Sequence, residues 1–179
     1  MLDNALMFLI TAVFNIYIFV LIVRTLFAYA HMHYFHPVVQ VVTRLTQPII
    51  APLRKIIPNF HNIELSTVLV ILLLSLIKLI LLSVVASIMP TIPTLILLSV
   101  CGAIKLLLNT WFYAIIIQAI LSWVQSTQYR QSHVNEILSA ITSPILSPFQ
   151  RIIPTIGGFD ISMIPALIIL QFLMLLLPG

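Results

Sequence analysis

Thr46-Gln47-Pro48-Ile49-Ile50-Ala51-Pro52-Leu53-Arg54-Lys55-Ile56-Ile57-Pro58 returns 96 positions later as Thr142-Ser143-Pro144-Ile145-Leu146-Ser147-Pro148-Phe149-Gln150-Arg151-Ile152-Ile153-Pro154. The shift lays Pro48, Pro52 and Pro58 on Pro144, Pro148 and Pro154, sets Lys55 on Arg151, and continues to Glu64 on Asp160 and Ser66 on Ser162. Three prolines alone can coincide by chance. The apolar residues remove most of that doubt, since Val38, Val41, Val42 and Leu45 also fall on Val134, Ile137, Leu138 and Ile141. A duplicated unit explains both patterns. Earlier in the unit the offset becomes 94 and pairs Asn15 with Asn109, so two residues were gained or lost between them.

On either side of these segments the chain is oily. Four apolar stretches run from Ala5 to Ala30, Leu65 to Met89, Thr94 to Val124 and Ile161 to Pro178. Crossing hydrocarbon takes roughly 20 residues of helix, so the first three are ample and the fourth is at the lower limit. Of 179 residues, 61% are hydrophobic and 7% charged, against about 25% charged in a soluble domain. A water-soluble fold is thereby excluded. The expected fold is all-α: four transmembrane helices as two parallel tandem repeats, residues 1–89 and 94–179, joined by a hairpin at 90–93. Pro90 and Pro93 enforce that hairpin by ending helices on both sides. Each repeat crosses the bilayer twice, so the second copy re-enters in the orientation of the first.

The net charge of +4 comes from only eight Lys and Arg residues, and their placement speaks of topology rather than nucleic acid. Arg44, Arg54, Lys55, Arg130 and Arg151 all lie in the stretches after the first and third spans. The positive-inside rule then makes loops 31–64 and 125–160 cytoplasmic and puts both termini outside. Asp3 at the amino end does not oppose this, and the first residues lack the basic cluster of a cleaved signal. Cys101 is the one cysteine, which excludes an internal disulfide and suits a buried apolar role.

Between Val38 and Ile57 the apolar residues recur at spacings of three and four, with Gln40, Thr43, Arg44, Gln47, Arg54 and Lys55 on the other side. That pattern predicts an amphipathic helix in the headgroup region. Pro48 and Pro52 are expected to break or kink it. The result is either a structural elbow fastening paired spans or a functional loop lining a pore or gripping a partner. Arg54 and Lys55 fit anionic headgroups.

Several charges are candidates for function. Glu64 and Asp160 open the second and fourth spans; either caps free helix donors, or takes part in a shared cation site or an arginine pair. Lys78 and Lys105 lie inside spans, and Arg24 lies near the end of one. Each is expected to snorkel to the nearer headgroups, with a wet cavity or an anion site between helices as the alternative for the two lysines. His31, His33, His36, His61 and His133 have no firm metal-ligand spacing. Gly157-Gly158-Phe159-Asp160 lacks the glycine that an intramembrane aspartyl protease motif needs next to its aspartate. No nucleophile is paired with a base, so neither an enzyme nor a cofactor is expected.

At the elbows the chain resembles the YggT family, whose signature is a Thr-x-Pro-x-x-x-Pro-x-Arg/Lys-x-x-x-Pro segment leading to an acidic residue and Ser. The likeness covers essentially the whole chain and occurs twice. Gln150 stands where the pattern has Arg, and Met163 where Pro often follows the Ser. The resemblance implies a bacterial inner-membrane protein. Enterobacterial members are associated with osmotic-shock tolerance and potassium balance, and the related YlmG proteins with cell division and plastid nucleoid distribution. Two functions are in contention: a non-enzymatic protein that organises other membrane machinery, as a homo-oligomer or with other membrane proteins, or a small oligomeric ion channel or transporter using Glu64 and Asp160.

Overall fold

A computed structural model describes residues 2–30, 36–55, 64–88, 90–123, 133–153 and 160–178. Six helices occur among them: α1 (Leu2–Tyr29), α2 (Pro37–Arg54), α3 (Leu65–Val85), α4 (Ile92–Trp123), α5 (His133–Ile152) and α6 (Met163–Leu176). Three are long and apolar enough to cross a membrane, over Asp3–Tyr29, Leu65–Val85 and Ile92–Ser122. The shortest of these, 21 residues in α3, reaches about 32 Å at 1.5 Å per residue, which spans the hydrocarbon. α6 has 14 residues, roughly 21 Å. It is shorter than its apolar stretch because Asp160–Ser162 forms a turn ahead of it and Pro178 follows it.

α3 ends in a Schellman closure. The Ile88 amide reaches back to the Ser83 carbonyl at 3.0 Å and the Ser87 amide to Val84 at 3.1 Å, with Ser87 at φ 55° where glycine is usual.

The residues divide into two compact units, Met1–Leu107 with Pro178–Gly179, and Leu108–Leu177. In the first, α1 and α3 pack along one another and α2 lies against both. Ile18, Leu21, Ile22 and Phe27 of α1, Ile50 of α2 and Val70 of α3 are buried there. In the second unit, Leu108 and Ile115 of α4, Leu146 of α5, and Met163, Ala166, Leu170 and Met174 of α6 form one core.

α2 and α5 correct one expectation. Neither is a proline-broken segment: helix runs without interruption through Pro48 and Pro52, and through Pro144 and Pro148. The prolines in each helix are four apart, so they share one side of it. Pro48 and Pro52 are exposed, which leaves the freed carbonyls where water or headgroups can satisfy them. Pro37 starts α2 at the position that tolerates proline best, and His36 caps it, Nδ1 accepting from the Val38 amide at 3.3 Å.

At roughly 100° per residue α2 has three sides rather than two. Val39, Thr46 and Ile50 face the unit's interior. Gln40, Arg44 and Gln47 form a polar side. Val38, Val41, Leu45 and Ile49 form a third, apolar and exposed, with Val41 and Leu45 each 57% open.

Candidate functional site

The described residues of the first unit converge on Arg24. Five residues from the end of α1, it was expected to snorkel, yet it is only 5% exposed. Its Nε donates to Glu64 Oε2 at 2.9 Å and its Nη1 to Thr46 Oγ1 at 2.6 Å. Longer contacts of 3.5 Å reach the second Glu64 oxygen, Gln47 Oε1 and the Thr43 carbonyl. The guanidinium turns inward because acceptors from α2 and from the start of α3 meet it there, which satisfies its fork of donors without a reach to the headgroups. One side chain of α1 thereby fastens both neighbours.

Glu64 is shared. Arg54 Nη2 stands 3.3 Å from its other oxygen, and Thr67 Oγ1 donates to Oε2 at 2.8 Å. The Glu64 side chain makes no helix-capping hydrogen bond; of the readings open to it, arginine pairing is the one this geometry displays. Burial pushes its pKa up, but the hydrogen bonds from Arg24 and Thr67 and the Arg24 and Arg54 charges outweigh burial and hold it below the ordinary 4.5. A carboxyl depressed in the folded state adds stability above its unfolded pKa and loses it as pH falls through the folded one. Thermal stability of the full chain in detergent should therefore decline below the ordinary value of 4.5. That acid decline should be smaller in Glu64→Gln; an identical acid limb in the variant would disprove the assignment.

In the second unit glutamines stand where the first has its two arginines, while the acid is kept as Asp160. At the offset of 94 Arg24 becomes Gln118, and at 96 Arg54 becomes Gln150. Thr142, equivalent to Thr46 and 1% exposed, donates to Gln118 Oε1 at 2.6 Å. Gln150 Nε2 donates to Asp160 Oδ2 at 2.6 Å. Asp160 Oδ1 accepts from the Ser162 amide at 3.0 Å and from the Ser162 hydroxyl, a local turn just ahead of α6, whose own N-cap, Ser162, makes no side-chain capping bond. Trp111 Nε1 adds a 3.0 Å bond to the Ile141 carbonyl.

Lys78 also departs from expectation. Instead of snorkelling, its Nζ donates to Asn15 Oδ1 at 2.9 Å, from α3 to α1. The end of α3 is about 10 Å further along, beyond easy reach, whereas the amide is adjacent. Lys105 is half-buried on α4 and has a partner of its own. Lys55 and Arg151 are exposed, and Cys101 is buried. Pro58, Pro154, Arg130, His31, His33, His61 and Gly157 to Phe159 lie outside the described residues. Thr46, Thr67, Gln118 and Thr142 were not singled out by sequence reasoning. The repeated threonine that opens each elbow was the available signal.

A profile of the family described as CCB3/YggT matches twice, over residues 3–85 and 97–179. The chain is similar, at 36% identity over 171 residues, to an uncharacterized protein in the proC 3' region of Vibrio alginolyticus, covering 94% of this chain and 91% of that one. It is 36% identical over 159 residues to the uncharacterized protein YggT of Escherichia coli K12, covering 89% and 81%. An uncharacterized protein of Pseudomonas aeruginosa is 31% identical over 174 residues, 96% of this chain and 87% of its own. No solved structure matches.

Proposed function

The chain belongs to the CCB3/YggT family, and from that premise we propose that it is a non-enzymatic inner-membrane protein that organises or supports other membrane machinery. In this reading it is a tandem duplication with four spans, α6 included, and a role under osmotic stress. The termini lie outside and loops 31–64 and 125–160 are cytoplasmic, beside anionic headgroups. The duplication draws support from the family profile matching at two places 94 positions apart and from the threonine and acid bonds that recur at equivalent positions.

One observation carries the functional choice: Glu64 is closed between Arg24 and Arg54. A carboxylate that passes cations along a path needs open coordination, and this one instead ties helices together. The broad apolar exposure of the helices, such as Phe8 at 75% and Leu175 at 76%, suits lipid and the helices of partner proteins.

Gently solubilised membranes should yield the chain in a stable complex, as a homo-oligomer or with another membrane protein. A clean monomer across several detergents would overturn the proposal. So would potassium, sodium or chloride flux in liposomes that disappears in the Glu64→Ala, Asp160→Ala double variant, since that is the channel's signature. Reporter fusions at residue 179 test the orientation, with a cytoplasmic signal contradicting it.

A further inference from the structure

Glu64 and Asp160 hold equivalent positions but face different surroundings. Where Glu64 has two arginines, Asp160 receives, among the described residues, neutral donors from Gln150 and from the amide and hydroxyl of Ser162. No cation lies within ion-pair distance of it among the described residues. A carboxylate offers about four acceptor sites, so three hydrogen bonds leave room for one more donor.

Asp160 also opens onto a groove. α4 and α6 part around a volume of about 800 Å³, walled by Ile116, Ile120, Ile164 and Leu167, with Ser122 and Asp160 giving its polar lining. In the first unit the corresponding seam, between α1 and α3, is closed by direct packing. The groove falls within the roughly 300–1,000 Å³ typical of small-molecule sites.

The geometry points to a bound phospholipid with a primary ammonium headgroup, its ammonium on Asp160 and an acyl chain between α4 and α6. Aliphatic walls call for a hydrocarbon chain, and in a bilayer that chain is the molecule at hand. A carboxylate without a cation partner among the described residues calls for a cation with a hydrogen to donate, which a primary ammonium supplies. It repels an anionic headgroup. Asp160 lies three residues ahead of Met163, the first residue of α6, where a headgroup would sit above a chain running along that helix. This site stands whether or not the chain organises other proteins, because its test reads lipid rather than partners.

The full-length chain, delipidated in detergent, is titrated with phosphatidylethanolamine or phosphatidylglycerol, and bound lipid is counted by native mass spectrometry. Phosphatidylethanolamine should bind about tenfold more tightly, the scale of one charge-assisted hydrogen bond. Asp160→Asn, whose amide oxygen can still accept from the Ser162 amide, should bring the two lipids near parity. Ile164→Trp, at an exposed wall position, should fill the groove and reduce retention of both. Asp3→Asn should behave as wild type. Equal binding by the wild-type chain, a preference that survives Asp160→Asn, or retention unchanged in Ile164→Trp would each overturn the site. Circular dichroism of each variant separates loss of lipid from loss of fold.

Discussion

Arg24→Leu should lower the unfolding free energy of the chain by about 3–5 kcal/mol, the usual cost of removing one partner of a buried ion pair. The loss has a definite source. Glu64 stays buried, held by Thr67 and by an Arg54 whose side chain is 38% exposed, while Thr46 loses the donor that fixed α2 to α1. Glu64→Gln should cost a comparable amount, because it strands the arginine instead. The informative variant is Arg24→Gln with Glu64→Gln, which gives the first unit an uncharged pairing like that of Gln118 in the second. It should recover at least half of either single loss, since taking out both charges removes the stranded ion. Reversible unfolding in mixed micelles, followed by tryptophan fluorescence, measures all three. Additive losses in the double variant would show that the pair does not fasten the helices.

Lys78→Met should do the reverse and stabilise. An ammonium near the middle of a span costs roughly 2.5–3.5 kcal/mol on insertion scales, and the single bond to Asn15 returns only part of that. Met174 occupies the position 96 residues on and is 6% exposed, so the fold accepts a thioether at the equivalent place. A gain of about 2 kcal/mol is expected in the same unfolding assay. Asn15→Leu should cost about 1–3 kcal/mol while Lys78 is present, by leaving the ammonium without its acceptor, and should cost far less in the Lys78→Met background. A Lys78→Met variant that loses stability would mean the lysine serves something beyond Asn15.

The spans were legible because length and hydropathy act residue by residue, and a lipid solvent leaves few alternatives to helix. Thus α1, α3 and α4 follow their apolar stretches closely. The prolines misled as to a break in the helix, because the local rule assigns each one a cost in isolation. It takes no account of Thr46 and Ile50 anchoring α2 against the core, or of both prolines standing on the side where lost bonds are tolerable. Arg24 misled for a different reason. Its partner lies 40 positions away in the sequence, and no periodicity announces a contact between helices. Snorkelling is the default for a charge with no visible acceptor, and the acceptors became visible only once α1, α2 and α3 were brought together. The neutral counterpart was readable: the offset that pairs Asn15 with Asn109 also pairs Arg24 with Gln118. Asp160 was recognised as the twin of Glu64, but that Gln150 rather than a cation meets it among the described residues emerges only from the structure.

The three-sided cross-section of α2 limits how the gene can vary. Inserting one residue between Val38 and Thr46 would rotate the start of the helix by roughly 100° relative to its remainder, moving an exposed valine to the polar side or toward the arginine. Length changes are therefore expected to be tolerated better in the connectors than in α2. The matching offset in the sequence shifts from 94 to 96 after Asn15 and before Val38, whereas Val38 to Arg54 matches residues 134–150 without a gap.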